Sequence, residues 1–441
     1  MILSWSRMLV MVAAVLLAAP AVAAGAPVVT GPIPGEPPGN PASPALEETY
    51  PFFATWLDLA ASGYVEEEFY VSGVADAYAT NGDKLTSNVP YRTRVIVRRP
   101  VAARDFNGTV LVEWQNVTAG YDLDALWSRR HVREGYAWVG VSAQRVGVNQ
   151  LRGWSPTRYG TLDVTGAGLF LTDQLSYDIY ADAARALPDL LGGLDVERVL
   201  AIGASQSASR MTVYYNSVLP QEQPVFDGYA FIVGTAPSRV GMEPIIQVLS
   251  ETDVTNPAAR RPDDQVFRRW EVAGAAHSGW EGYEYRVPLS ARDLGAVPVY
   301  NCTNPPLSRV PLSHVIEAAY AHLSRWVDGG APPPSAPYLE FDGLTKVRNE
   351  LGLAQGGIQL SQVAVPTALN TGSNSGPSFC ILLGTHRPFD EQQLDALYRN
   401  HGQYVSGVAR TDNANVAAGY LLQADAQENQ RAAAHSTVGG K

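Results

Sequence analysis

The sequence predicts an α/β fold in which a mostly parallel central sheet carries helices on both faces. Short apolar runs typical of buried strands recur along the chain, at 109–115, 137–143, 198–203, 228–234, 245–250 and 267–273. Helical stretches such as Tyr177–Leu190 separate several of these runs. Strands that alternate with helices in this way form parallel sheets, because each crossover helix returns the chain to the same edge.

The first 24 residues predict a secretory signal peptide. Arg7 precedes an apolar stretch from Met8 to Leu17, and small residues follow it up to Ala24. Such a stretch is too short to cross a bilayer, and no later segment is long and apolar enough, so we expect a secreted protein, extracellular or periplasmic, without a membrane span. Residues 25–45 are rich in Pro and Gly and predict a mobile linker.

We expect residues 46–330 to form the core and residues 331–441 a C-terminal extension packed on it. Runs of β-type residues within Glu66–Arg99 predict antiparallel strands that open the sheet, and Pro311–Val327 predicts an amphipathic helix that closes the core. Helical patterns occur in the extension at Glu391–Tyr398 and Asn413–Leu422. The extension is expected to supply one wall of a pocket; the alternative is that it only covers the sheet or supports association.

Composition limits the classes of function. The net charge of −11 and the lack of a basic cluster argue against nucleic acid as a partner. Cys302 and Cys380 are the two cysteines, and an even pair in an exported chain predicts one disulfide. No glycine-rich phosphate loop with lysine and no histidine pair with metal-ligand spacing is present, so neither cofactor nor metal is expected.

One turn in the sequence has the pattern of an activated nucleophile. Residues 199–208 read as a buried strand that runs into a tight turn with Ser205 at its apex, followed by a helical stretch from Gln206 to Val218. A serine on such a strained turn is exposed and rigidly held, and small residues must flank it two positions away. Gly203 and Ser207 occupy those positions, where Ser207 replaces the usual glycine. The alternative is a turn serine that only caps the helix.

A base and an acid follow in the chain, each just past a predicted strand. His277 comes after the strand 267–273 and a glycine, and Asp253 comes after the strand 245–250. Parallel strands would bring Ser205, Asp253 and His277 to one edge of the sheet, where the acid orients the imidazole. Glu251 is the alternative acid, although it could instead bond backbone amides or a neighbouring arginine.

The negative charge of a reaction intermediate would be held by backbone amides. The amide of Gln206, which follows the serine, is the first candidate. The loop after the strand 109–115 offers the amides of Asn116, Val117 and Thr118, and the sequence does not decide among them. An ordinary strand-to-helix loop is the alternative.

The connection 144–172 leaves the same edge of the sheet and is expected to form the second wall of the pocket. Its aromatic and guanidinium groups could bind a ring, a sugar or a carboxylate, or could serve only loop packing and surface ion pairs. These groups belong to Arg145, Arg152, Trp154, Arg158, Tyr159 and Phe170.

Five segments of the sequence resemble those of secreted bacterial proteins that carry an alpha/beta hydrolase domain. They are Glu-Trp-Gln-Asn-Val (113–117), Ser-Tyr-Asp-Ile-Tyr (176–180), Gly-Ala-Ser-Gln-Ser (203–207), Ser-Glu-Thr-Asp (250–253) and Val-Ala-Gly-Ala-Ala-His (272–277). The resemblance extends from about residue 60 to near the C-terminus. It implies the α/β-hydrolase fold with Ser205, Asp253 and His277 as a catalytic triad, and it implies no particular substrate.

We therefore expect a secreted serine hydrolase that cleaves a small-molecule or polymer-linked carboxylic ester through an acyl-enzyme. The same triad could instead attack an amide or peptide bond. A binding protein that keeps the fold without catalysis is the alternative from another class.

Overall fold

The computed structural model of the protein describes residues 26–35 and 49–440. Its strands are β1 (Val28–Thr30), β2 (Tyr64–Tyr78), β3 (Lys84–Pro100), β4 (Thr109–Trp114), β5 (Ala137–Val141), β6 (Arg198–Ala204), β7 (Gly228–Ile232), β8 (Ile245–Ser250), β9 (Phe267–Val272), β10 (Phe341–Asp342), β11 (Thr345–Lys346), β12 (Ala368–Thr371) and β13 (Thr385–Pro388).

The helices are α1 (Arg129–Glu134), α2 (Arg145–Trp154), α3 (Pro156–Tyr159), α4 (Ser176–Arg185), α5 (Leu187–Leu190), α6 (Gln206–Val213), α7 (Trp280–Asp293), α8 (Leu312–Val327), α9 (Ser361–Ala364), α10 (Cys380–Leu383), α11 (Glu391–Leu397), α12 (His401–Ala418) and α13 (Gln423–His435). A π-helical turn at Tyr214–Val218 extends α6, so the predicted helix 206–218 changes its hydrogen-bond pattern halfway. The predicted helix 177–190 is divided into α4 and α5, and Pro188 lies in the first turn of the second.

A nine-stranded sheet in the order β1-β2-β3-β5-β4-β6-β7-β8-β9 forms the centre of the protein. The pairs from β5 through β9 are all parallel, whereas β1, β2 and β3 add antiparallel strands at one side. Every residue of β4, β7 and β8 is buried, as expected for strands covered on both faces. The predicted fold class is therefore confirmed.

Side chains alternate between two hydrophobic clusters, one on each face of the sheet. On β6, Ala201 lies in one cluster, whereas Leu200 and Ile202 lie in the other. This alternation follows from the two-residue period of a strand. Because the strands are parallel, the carboxyl ends of β4, β6, β8 and β9 meet at the same edge of the sheet.

The linker prediction for residues 25–45 is wrong for Val28–Thr30. These residues pair with Ser72–Tyr70 of β2 and extend the sheet as a short edge strand. Their N–H and C=O groups hydrogen-bond with backbone groups of β2 that would otherwise be unpaired at the edge of the sheet. The predicted signal peptide, residues 1–24, lies outside the described residues.

The C-terminal extension is bonded to the core through both backbone and side-chain groups. Ile358 exchanges backbone hydrogen bonds with the end of β9, from its N to Glu271 O at 2.7 Å and from Ala273 N to its O at 3.0 Å. Further along, Asp425 on α13 bonds Arg130 at 2.8 Å, which fastens the last helix to α1. Within the described part of the chain, none of the helices combines the length and apolarity of a membrane crossing.

The predicted disulfide between Cys302 and Cys380 is present and links the segment before α8 to α10. Its cysteines are separated by 78 positions in the sequence, so the bond closes a long loop. We expect Cys302→Ser with Cys380→Ser to lower the free energy of unfolding by about 2–4 kcal/mol, because the unfolded chain regains the entropy of that loop. Denaturant titration measures the change.

The control for this prediction is chemical reduction of the native protein. A reducing agent should shift the native midpoint toward that of the double variant and leave the variant's own midpoint unchanged. Equal midpoints for native and variant proteins under oxidising conditions would contradict the prediction.

Candidate active site

Ser205 lies at the sharp turn between β6 and α6. Its backbone has φ 56° and ψ −114°, a conformation that L-residues rarely adopt and that is found where the surrounding structure enforces it. The Ser205 amide donates to Ile232 O at 2.9 Å, which fixes the turn against β7. The serine side chain therefore projects from the sheet edge into a cavity.

The two small residues that flank the serine have different roles. A Cβ on Gly203 would lie 2.4 Å from the Met211 sulfur and 3.2 Å from backbone atoms of Ser207 and Ala208, so the glycine lets α6 and the Met211 side chain pack closely on β6. Ser207 is buried, and its hydroxyl accepts from Ala204 N at 3.0 Å and donates to Ala204 O at 2.9 Å. Ser207, which replaces the usual glycine, thus stabilises the turn through two buried hydrogen bonds to the backbone of Ala204.

His277 and Asp253 are brought together at the ends of β9 and β8. His277 Nδ1 lies 2.6 Å from Asp253 Oδ1, and the other carboxylate oxygen accepts from the amide and hydroxyl of Ser250 at 3.2 and 2.5 Å. The His277 amide donates to Thr252 Oγ1 at 3.1 Å. A carboxylate held in this way fixes the imidazole orientation and leaves Nε2 available, and the ring lines the same cavity as Ser205.

Glu251 faces away from His277 and is fully buried. One carboxylate oxygen accepts from Gly274 N at 2.8 Å, and the other pairs with Arg348 Nη2 at 2.6 Å. These are the two roles that the sequence left open for this residue. Glu251 therefore acts as a structural clamp, whereas Asp253 is the carboxylate that contacts the imidazole.

Among the three amides of the loop after β4, only that of Val117 points toward the serine turn. The amide of Asn116 donates to Leu123 O at 3.2 Å, and the amide of Thr118 donates to Asn116 Oδ1 at 2.8 Å. Val117 N faces the side-chain oxygen of Gln206 at 3.4 Å. The prediction that the Asn116 amide donates to the site is therefore wrong, because this N–H already takes part in a β-bridge with Leu123. The Asn116 side chain instead donates to Ala204 O at 2.8 Å and holds the loop to the serine turn.

The cavity that contains Ser205 and His277 has a volume of about 710 Å³. Its walls come from the loop after β4, the turn and helix that follow His277, the start of α8, and the C-terminal extension. Phe379, Leu382 and Leu383 are the residues that the extension supplies. The expectation that the extension forms a wall is therefore confirmed.

The expectation that 144–172 forms the second wall is wrong. None of its residues lines the cavity. Arg158 pairs with buried Glu68 at 2.6 Å, Tyr159 donates to the same carboxylate at 2.8 Å, and Trp154 Nε1 donates to Asp293 O at 2.9 Å. This connection folds over β2 and β3 because its polar groups find buried partners there.

The second wall is instead α7, which the sequence analysis did not assign. Trp280, Tyr283 and Arg286 on this helix line the cavity, and Tyr300 follows in the next loop. The signal that could have found them is the run Trp-Glu-Gly-Tyr-Glu-Tyr-Arg (280–286), which begins three residues after His277.

The floor of the cavity contains buried titratable groups. Burial raises the pKa of Glu317 to about 8 and lowers the pKa of His131 to about 3, because both lose the solvation of their charged forms. Glu317 Oε2 lies 3.5 Å from His131 Nε2. This pair is therefore neutral at pH 7, with a carboxylic acid facing an uncharged imidazole.

A group with the composition of a metal site lies beside this floor. Ligand atoms of His314, Asp425 and Glu428 are within 4.8 Å of one another. The Arg130 guanidinium lies among them, 2.8 Å from Asp425 and 2.5 Å from His314 Nε2. The positive charge in this cluster is thus supplied by the protein, and the cluster fastens α13 to α1.

Comparison with known families agrees with this architecture. Residues 29–431 match the family model described as "Alpha/beta hydrolase domain". No curated protein sequence matches the chain.

Several solved structures show a partial likeness to this chain. They include the rice cell wall degrading esterase LipA from Xanthomonas oryzae (14% identity, 39% of this chain and 43% of that chain, TM-score 0.25), esterase Est22 (11%, 44% and 65%, 0.27) and oligopeptidase B from Trypanosoma brucei (11%, 48% and 33%, 0.29). This chain thus covers less than two thirds of each neighbour's length. Likeness at this level assigns no activity to it.

The Glu251–Arg348 clamp leads to a stability prediction. Glu251→Ala should lower the free energy of unfolding by about 3–5 kcal/mol, because the Gly274 amide and the Arg348 guanidinium both lose their partner. Arg348→Met should also destabilise, since it leaves a buried carboxylate without its cation. Denaturant titration of both single variants and the double variant measures the coupling, and effects that add to within about 0.5 kcal/mol would contradict the clamp.

The raised pKa of Glu317 predicts a pH effect on stability. The folded protein binds this proton more tightly than the unfolded chain, so the resulting stabilisation is complete below about pH 4.5. It is lost as the pH rises through about 8. Glu317→Gln removes the effect, so the variant should gain stability relative to the native protein between pH 5 and 8, by at most about 1.4 kcal/mol per pH unit.

Denaturant titrations at four pH values in this range measure the difference. Glu350→Gln, which changes an exposed carboxylate, is the control and should keep a constant offset from the native protein. A constant offset for Glu317→Gln as well would contradict the neutral pair.

Proposed function

This chain belongs to the alpha/beta hydrolase domain family, and from that premise we propose that it is a serine hydrolase that cleaves carboxylic esters. The observation that carries the proposal is the contact of 2.6 Å between His277 Nδ1 and Asp253 Oδ1, on the cavity that Ser205 also lines. A cavity of about 710 Å³ is in the range of small-molecule sites, so the substrate is a small ester or the ester-bearing end of a polymer.

In the proposed reaction, His277 Nε2 takes the proton of the Ser205 hydroxyl as its oxygen attacks the ester carbonyl. Asp253 stabilises the imidazolium that forms and does not itself take the proton. The tetrahedral intermediate then collapses, the C–O bond to the alcohol breaks, and the imidazolium gives its proton to the departing alkoxide. Water activated by His277 cleaves the acyl-enzyme and releases the acid.

The oxyanion of each tetrahedral intermediate would be held by two backbone amides. The Gln206 amide begins α6, where the unpaired N–H groups of a helix favour negative charge. The Val117 amide is the second donor: its bond to the Gln206 side-chain oxygen is long, at 3.4 Å, and an oxyanion would replace that partner, whereas the amides of Asn116 and Thr118 hold shorter bonds within the loop. Asn116 is a positioning residue for this loop, since its side chain fastens it to the serine turn.

Export is part of the proposal. The apolar stretch after Arg7 and the small residues before Gly25 support removal of residues 1–24, and the Cys302–Cys380 disulfide suits an oxidising compartment. The mature enzyme would then meet its ester outside the cytoplasm.

Two substitutions test the proposal. Ser205→Ala should lower kcat/KM for p-nitrophenyl esters by at least about 10⁴-fold, because the nucleophile is lost. Asp253→Asn should lower kcat by about 10⁴-fold while the fold persists, because the imidazole is held in the wrong tautomer. Assays with p-nitrophenyl esters from acetate to palmitate measure both effects, and a fluorophosphonate should label Ser205 in the native protein.

Ser62→Ala is the matched control, because it makes the same chemical change on an exposed serine outside the cavity. It should keep its activity within about threefold. Equal rates for the native protein and Ser205→Ala, together with no phosphonate adduct, would overturn the proposal. Cleavage of anilide but not ester substrates would redirect it to an amidase that uses the same residues.

A further inference from the structure

Four charged side chains that line the active-site cavity are already neutralised by ion pairs within the protein. Because these groups hold their partners at close range, they attract a substrate charge only weakly. The pairs are Asp124–Arg98 at 2.7 Å, Arg129–Glu428 at 2.7 Å and Arg130–Glu281 at 3.1 Å.

Arg286 on α7 is different. It lines the cavity and is partly buried, yet it forms no ion pair with any of the described residues, 26–35 and 49–440. Its Nη2 donates to Ser278 Oγ at 3.0 Å, which places the guanidinium beside the residue that follows His277. A guanidinium has five N–H donors, so most of them remain free for a ligand.

Several tyrosine side chains line the same cavity as the Arg286 guanidinium. Burial raises the pKa of the Tyr121 and Tyr300 phenols, and the Arg286 guanidinium acts in the opposite direction on both. Tyr300 in turn contacts Tyr283 at a centroid distance of 5.9 Å. Tyr121, Tyr283 and Tyr300 line the same cavity as Arg286, and the partial burial of its guanidinium strengthens the attraction of its charge for an anion.

A partly buried cation without a counter-ion is costly, and this protein carries a net charge of −11. The chain has 43 acidic residues against 32 Lys and Arg, so carboxylates that could pair with Arg286 are plentiful in its sequence. Among the described residues the guanidinium is instead left without an ion pair, at a cavity that His277 also lines, so a bound substrate can supply the missing negative charge.

We propose that Arg286 binds a free carboxylate of the substrate, so that the enzyme prefers esters that carry a carboxylate within a few atoms of the scissile bond. This inference rests on the proposed serine hydrolase function. The planar guanidinium fits a carboxylate through two parallel hydrogen bonds, which gives geometric selectivity as well as charge. Half-esters of dicarboxylic acids and esters of carboxylated aromatic alcohols form the predicted substrate class.

Arg309 is a second cation at the same cavity, but it is exposed and lies over the Trp280 ring at 4.6 Å. Its charge is hydrated and engaged with the ring, so it contributes general attraction for anions and less selectivity than Arg286. It therefore serves as an internal comparison for the test.

Two matched substrate pairs test the inference. Monobenzyl succinate and benzyl butyrate differ by a carboxylate on the acyl side, whereas 4-carboxybenzyl acetate and 4-methylbenzyl acetate differ by one on the alcohol side. In at least one pair, the native enzyme should favour the charged ester in kcat/KM. Arg286→Met should reduce that preference by about 10- to 100-fold, a loss matching one charge-assisted hydrogen-bonded contact.

Arg410→Met is the control, because it removes the same charge from an exposed position of α12 outside the cavity. It should keep the native preference, and Arg309→Met should reduce it by less than Arg286→Met. Equal preference in the native enzyme and Arg286→Met for both pairs would overturn the inference. The proposed function would survive that result, provided that neutral esters are still cleaved in a Ser205-dependent way.

A binding measurement decides the inference independently of turnover. Calorimetry compares the binding of monobenzyl succinate and of 4-carboxybenzyl acetate to Ser205→Ala and to the Ser205→Ala/Arg286→Met double variant. We expect at least about tenfold weaker binding of one of them to the double variant. Equal affinities for both compounds would overturn the carboxylate site, even if no ester were turned over by the native protein.

Discussion

The close packing of α6 against β6 is the constraint on which the rest of the site depends. Gly203 lets the Met211 side chain lie directly over the strand, since any Cβ there would come within 2.4 Å of its sulfur. The chain must then reverse within one residue, and Ser205 takes the strained backbone angles that this reversal demands. The Ser205 side chain is thereby held at the carboxyl edge of the sheet. The buried hydroxyl of Ser207 stabilises the same turn through its two hydrogen bonds to the backbone of Ala204.

A second constraint joins the catalytic edge to the C-terminal extension. Glu251 holds the amide of Gly274, at the end of β9, and the guanidinium of Arg348 in the extension. Thr252, between the two acids, accepts from the His277 amide and donates to Gly372 O at 2.6 Å. The extension is thus bonded to the residues that position the histidine, and it also supplies apolar side chains to the cavity wall.

The electrostatic character of the cavity depends on which of its charged side chains form ion pairs within the protein. Ion pairs and burial make its floor neutral, through the pairs of Arg130 and the neutral contact between Glu317 and His131. Against that background, the partly buried guanidinium of Arg286 on α7 and the exposed one of Arg309 have no ion pair within residues 26–35 and 49–440. A low-dielectric wall makes such a charge effective at short range, which is the basis for selecting a substrate by its own charge.

The sequence by itself predicted the strands along the chain, the serine turn and the histidine that follows it, because local periodicity and turn chemistry encode these features, and it left Asp253 and Glu251 as alternative acids. It could not choose among the amides of Asn116, Val117 and Thr118, since that choice depends on where each N–H points after the loop bonds to Leu123 and Ala204. Nor could the sequence show which chain segments cover the carboxyl edge of the sheet. The connection 144–172 has as many aromatic residues as α7, but its Arg158 and Tyr159 bond to buried Glu68 on β2, away from the cavity. Those decisions belong to tertiary structure, because they rest on buried polar groups finding partners far apart in sequence.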